Sequence, residues 1–226
     1  MKISTDQFHW KPCYRIIPSR FLPIQLFERV ADSDDLDAVM AVESLTNDRL
    51  RDETGEVQLV PSGDRVTGSG ASIIMAAFTH LNPAGSRFSD GSYGVFYTAH
   101  DLNTAINETR YHRERFMRAT RQGRMELDMR VYTLTLKSQL HDIRGLHKKL
   151  GPVYDADDYS AGQQLGKSLR SEGAWGIVYH SVRHKGGECA GVFHPSALSH
   201  CKQGQHLCYV WDGERINHIY KKRAYL

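Results

Sequence analysis

The sequence predicts an α+β domain, and three observations carry that prediction. Short β-branched and aromatic runs alternate with helical periodicities in no regular βαβ order. The chain closes on a two-residue hairpin signal, and neither an internal repeat nor a low-complexity segment interrupts it. At 226 residues it is long enough to bury a sizeable core without a metal or disulfide, so a single domain over 1–226 is expected. Its composition, 40% hydrophobic and 24% charged, is that of a soluble protein, and no window approaches the ~18 apolar residues of a membrane span.

Taken in order, Cys13 to Ile17 (CYRII) reads as a first strand ended by Pro18. Residues 24–31 and 34–51 read as helices, and Asp52 to Gly70 as a loop rich in Gly, Asp, Ser and Pro. Ile74, Ala77, Phe78 and Leu81 fall at i, i+3, i+4 and i+7, which predicts a helix over 72–81 stopped by Asn82-Pro83. A Gly85-Ser86 turn then delivers Arg87, and Tyr93 to Ala99 (YGVFYTA) has the pattern of a buried strand. Asp101 can cap a helix whose stripe is Leu102, Ala105, Ile106 and Thr109; Glu108 lies off that stripe. Further on, Arg130 to Leu136 alternates as a strand, and Ser160 to Glu172 reads as a helix closed by Gly173. Trp175 to Val182 and Cys189 to Phe193 are strands, and Cys208 to Trp211 and Arg215 to Tyr220 flank the Asp212-Gly213 hairpin turn.

Several function classes lose support. The net charge of +3 comes from 29 basic and 26 acidic residues that are interspersed; only local runs such as Arg110 to Arg124 and Lys221 to Arg223 are basic, so a nucleic-acid partner is not expected. The N-terminal MKISTDQFHWKPCYR has no secretory pattern, and Cys13, Cys189, Cys201 and Cys208 form no CxxC pair, which favours reduced thiols and a cytoplasmic location. The late His/Cys-rich region (His180, His184, Cys189, His194, His200, Cys201, His206, Cys208, His218) lacks zinc-ligand spacing. Its nearest fit, His180-x3-His184, spans a strand end, so no metal is expected. Gly68-Ser-Gly70 and Gly186-Gly187 match neither the P-loop nor the dinucleotide fingerprint.

The stretch GSRFSDGSYGVFYTAHDLNTAINETRYH places Arg87 on a turn, Tyr97 on a strand and Glu108 on a helix. Each has an ordinary explanation alone: a solvated loop cation, a core tyrosine, a surface acid paired with His112. Because the three elements are sequence neighbours, their convergence on an anionic, ring-bearing ligand is the sharper expectation.

Together with Tyr14-Arg15, Gly85-Ser86-Arg87-Phe88, Val95-Phe96-Tyr97, Thr104-Ala105-Ile106-Asn107-Glu108 and Tyr179-His180-Ser181-Val182-Arg183, the chain resembles the RES-domain family, named for its Arg, Glu and Ser. The resemblance implies an ADP-ribosyltransferase-like fold of mixed and antiparallel sheets flanked by helices. It also implies the toxin of a bacterial toxin–antitoxin pair, neutralised by an Xre-type helix-turn-helix antitoxin. The implied activity is NAD+ consumption by cleavage of the nicotinamide–ribose bond, as a phosphorylase with inorganic phosphate as co-substrate or as a glycohydrolase; ADP-ribosyl transfer to a protein is the alternative. NAD+ is then substrate, and no cofactor is required. Glu108 and Ser181 take the catalytic positions, with Glu108 accepting from the ribose 2′-hydroxyl. Arg15 and Arg87 are expected on the pyrophosphate, and Tyr97 on the nicotinamide with its hydroxyl available to the ribose. Two departures stand out: GSRFS replaces the family's GRWN turn, with Ser89 in place of Asn, and residues 16–86 separate Arg15 from Arg87. The second implies a helical insertion over about 20–70, available to a partner or a second copy of the chain. A non-catalytic nucleic-acid-binding module on the Arg110 to Arg124 face is the competing class.

Overall fold

The computed structural model describes residues 3–19 and 55–223. Within them seven strands form one mixed sheet: β1 (Thr5–Pro18), β2 (Phe96–Ala99), β3 (Met125–Asp142), β4 (Gly176–His180), β5 (Glu188–Val192), β6 (Leu198–Trp211) and β7 (Ile216–Lys222), in the order β1-β2-β5-β4-β3-β6-β7. Among the described residues three α-helices accompany them: α1 (Ala71–Thr79), α2 (Leu102–Ala119) and α3 (Ser160–Ser171). The expected α+β class is what the structure shows. The expected helices at 24–31 and 34–51 lie outside the described residues, and residues 55–70 hold two 3-10 turns, Val57–Leu59 and Ser62–Asp64, with no α-helix.

Two features of the ladder position the site. β1 pairs with β3 as well as with β2, so β1-β2-β5-β4-β3 closes on itself as a ring. The β1–β2 seam is slight: Tyr14 pairs with Ala99, and beyond that pair side chains span the divide, Thr98 Oγ1 donating to Tyr14 O at 3.0 Å and Arg15 Nη1 to Tyr97 O at 3.1 Å. β3 joins β4 in parallel through His141 and Asp142, a geometry that needs a crossover, and α3 lies in that connection.

Alternation along the strands divides the core between the two faces of the sheet. One side gathers Trp10, Phe96, Leu134, Leu136, Val178, Ala190 and Val192 under α1. The other gathers Phe88, Met129, Val131, Ile177, Tyr179, Cys189 and Trp211, with α2 and α3 packed on it. Full burial of each Val, Leu, Ile, Phe or Met side chain among them is worth about 1.5–3 kcal/mol, so both faces contribute to holding the sheet. Among the described residues no helix is long and apolar enough to cross a membrane.

Candidate active site

A cleft of about 930 Å³ opens where β1 and β2 part, bounded by the turn at 84–87, α2 and the loop at 157–160. Arg15, Arg87, Tyr97 and Glu108 line it together with Tyr14, His112, Arg113, Tyr159, Tyr179 and Cys189. Ser181 joins them through Glu108.

Glu108 reaches the cleft because Asp101 starts α2 where it does. The Asp101 side chain accepts from the Thr104 N–H, an N-cap that sets the helical phase, and Glu108 follows two turns later. Ser181 Oγ donates to Glu108 Oε1 at 2.6 Å. That hydroxyl in turn accepts from the main-chain N–H groups of Arg183 at 3.1 Å and His184 at 2.9 Å, so its proton is directed at the carboxylate. The Cys189 thiol approaches the same Oε1 at 3.9 Å, and burial together with the Glu108 charge pushes its pKa up, keeping it a protonated donor. Both contacts converge on Oε1. Among the described residues, Oε2 has no hydrogen-bond partner.

The cations are held differently. Arg87 is 8% exposed, and its Nη1 donates to Val153 O at 2.8 Å and Asp155 O at 2.9 Å, with Tyr159 beneath the guanidinium at 4.6 Å. Its turn is clamped by α3 at two glycines one helical turn apart. A Cβ at Gly162 would lie 2.3 Å from Arg87 O, and one at Gly166 2.2 Å from Phe88 O. Arg15 extends over the Phe96 ring, 4.3 Å from its centroid, on the α1 side of the strand, while Tyr97 and Glu108 sit with the other core. Its Nε is buried without a hydrogen-bond partner among the described residues, as is that of Arg113. Burial lowers the Arg15 pKa to about 10, still well above neutrality. Arg183 lies 3.3 Å from the Tyr111 ring centroid and donates to Ala156 O.

Tyr97 calls for a correction. The expected free hydroxyl is instead engaged: it accepts from Phe88 N–H at 2.8 Å and bonds Ser86 Oγ at 2.9 Å, so it holds the Arg87 turn. Burial pushes its pKa up, and the phenol stays protonated. Ser89, which stands where the family pattern has Asn, performs similar local work, donating to Tyr93 O at 2.6 Å and accepting from Gly91 N–H at 3.1 Å.

The late histidines are dispersed. His180 meets His147 at 3.1 Å, His184 meets Thr104 at 2.8 Å and His194 meets Asp64 at 2.7 Å. Among the described residues no group of three or more His, Cys, Asp and Glu is placed to hold a metal ion. The four cysteines are buried thiols.

Fold and cleft together define an α+β protein with a cation-rimmed candidate site for a small anionic ligand. The RES domain matches residues 64–212, about two thirds of the chain, and the chain belongs to the RES-domain family. It is 32% identical over 211 residues, 92% of its length and 86% of the relative's, to "Uncharacterized protein y4oC" of Sinorhizobium fredii (strain NBRC 101917 / NGR234). A chain in the crystal structure of the M. tuberculosis MbcT–MbcA toxin–antitoxin complex aligns with a TM-score of 0.48 at 13% identity, over 92% of this chain and 87% of that one.

Proposed function

We propose that this protein is a toxin of the toxin–antitoxin type that degrades NAD+ by cleaving the nicotinamide–ribose bond, as a phosphorylase or glycohydrolase, and is restrained by an Xre-type helix-turn-helix antitoxin. Membership of the RES-domain family supports the reaction class. The observation that carries the reading at the level of atoms is the Glu108 carboxylate, tied at Oε1 by Ser181 and without a partner at Oε2 among the described residues.

Cleavage of this bond sends its electron pair to the nicotinamide nitrogen and leaves an oxocarbenium-like ribose. A carboxylate oxygen that accepts from the ribose 2′-hydroxyl gains strength as that charge grows, favouring the transition state over the ground state. Glu108 Oε2 is suited to this, and Ser181 holds the carboxylate in one rotamer. The pyrophosphate is assigned to the guanidinium rim. Arg15, Arg87 and Arg113 line the cleft, and the guanidinium donors not taken by main-chain carbonyls are those offered to the pyrophosphate. With the Tyr97 hydroxyl occupied by the turn, the rings of Tyr14, Tyr97, Phe116, Tyr159 and Tyr179 along the cleft are the aromatic surfaces available to the nicotinamide.

The test is incubation of the purified protein with NAD+ and analysis of the products. Nicotinamide release is expected, falling at least ~100-fold in Glu108→Ala, as for other preorganised transition-state contacts. Dependence of rate and product on added phosphate separates phosphorolysis from hydrolysis. NAD+ left intact, with steeply salt-dependent binding of DNA or RNA, would instead favour the nucleic-acid-binding class.

A further inference from the structure

The loop from Ser181 to Gly187 joins β4 to β5 and closes on itself, with Ser181 N–H donating to Gly187 O at 2.8 Å and Gly187 N–H to His184 O at 2.9 Å. It also rests against the start of α2. Thr104, with no exposed surface, donates its hydroxyl proton to Asp101 Oδ2 at 2.6 Å. Burial alone would raise the Asp101 pKa, but the two hydrogen bonds from Thr104 and the nearby His184 leave it below its ordinary value, so the carboxylate is the acceptor. A hydroxyl has one proton to give. Towards His184 Nδ1, at 2.8 Å, Thr104 Oγ1 must therefore accept, which places a proton on that ring nitrogen. The main-chain N–H of the same histidine donates to Ser181 Oγ.

We propose that Asp101, Thr104 and His184 are positioning residues for the reaction: one carboxylate caps the helix that carries Glu108 and, through a hydroxyl and an imidazole, fixes the loop that carries Ser181. The proposal rests on the NAD+-cleavage reading of the Glu108 site. Every donor in the series has a single direction, Ser181 to Glu108, His184 to Ser181 and to Thr104, Thr104 to Asp101. The two catalytic candidates, 73 residues apart, are thereby set from one point. The approach leaves no room for a side chain at Gly187, where a Cβ would lie 2.4 Å from Thr104 Oγ1 and 2.9 Å from His184 Nδ1.

Thr104→Val keeps the shape and removes the hydroxyl; Thr104→Ser keeps the hydroxyl. For nicotinamide release, T104V is expected to lower kcat at least about tenfold with KM within about twofold, while T104S stays within about threefold of the wild type. His184→Ala, which retains the main-chain donor but frees the loop, should repeat the kcat-selective loss and serves if T104V does not fold. Two readouts do not depend on turnover: the ¹⁵N spectrum of His184 should show a protonated Nδ1 in the wild type, and a crystal structure of T104V or H184A should place Ser181 Oγ beyond ~3.5 Å from Glu108 Oε1. Wild-type kcat in T104V and H184A, equal losses in T104V and T104S, or an unchanged Ser181–Glu108 bond in both variants would overturn the relay. A wild type that releases no nicotinamide would overturn the NAD+ reading instead, leaving the spectrum and the crystal structure to decide the relay.

Discussion

On the acid side of the cleft the hydrogen bonds to Glu108 converge on one oxygen and come from side chains, whereas on the cation side Arg15 and Arg87 both direct donors at main-chain carbonyls. The acid side therefore holds a group in place and leaves an acceptor for a ligand. The cation side joins strands and loops with the same guanidiniums that a pyrophosphate would use. Substitution on the acid side is expected to cost activity with little stability; on the cation side it is expected to cost both.

Ser181→Ala is the strongest probe of this contrast. It removes the donor that fixes the Glu108 carboxylate, and a roughly 10- to 100-fold fall in kcat is expected, about 1.4–2.7 kcal/mol of barrier, while the released N–H groups of Arg183 and His184, on partly exposed residues, can turn to water. Thermal unfolding should move little; a large loss of Tm with kcat intact would erase the distinction between the two sides. Arg87→Lys should behave in the opposite way. A lysine has no fork to span the Val153 and Asp155 carbonyls, so about 1–3 kcal/mol of stability should go, together with a raised KM, measured by denaturant unfolding and steady-state kinetics.

Tyr97→Phe sits between the two. It leaves Phe88 N–H without its acceptor, and a loss of about 0.5–1.5 kcal/mol is expected, with KM rising more than kcat falls because the disturbed turn carries Arg87. Smallest is a titration. Desolvation, then the charges of Arg183, Arg113, Arg87 and Arg115, lower the His112 pKa to about 4. Because its folded pKa lies below the unfolded value near 6.5, its contribution to stability is complete above that value and is lost as pH falls from there towards 4. An NMR midpoint near 4 that rises in Arg183→Ala is expected; a midpoint near 6.5 would mean that the rim is not the crowded cationic surface described.

Much of the fold is legible in the sequence where one periodicity dominates. The helix expected over 72–81 is α1 at 71–79, and the Asp101 cap and the strand before it fall within a few residues of their observed places. β1 begins at Thr5 rather than Cys13, a start hidden because Pro12 interrupts the ladder and the register slips between Trp10 and Cys13. β6 begins at Leu198 rather than Cys208; its first ten residues, LSHCKQGQHL, alternate poorly because several of the side chains face solvent. In the site, Glu108 is marked by its place off the helical stripe on the run that carries Arg87 and Tyr97, whereas Ser181 stands out through the family resemblance alone. Nothing in the spacing signals Gly162 and Gly166, whose role depends on the turn they touch, or Thr104 and His184, 80 residues apart and joined by a contact that only folding creates.

The most direct measurement compares wild type and Glu108→Gln, matched in Tm, for nicotinamide release from NAD+. The substituted amide would keep the shape of the side chain and the contact with Ser181 but lose the charge that faces the ribose, and release at least ~100-fold slower is expected. Equal rates in the two proteins, or no release by the wild type, would contradict the assignment of Glu108 as the group that stabilises the charge developing on the ribose as nicotinamide leaves.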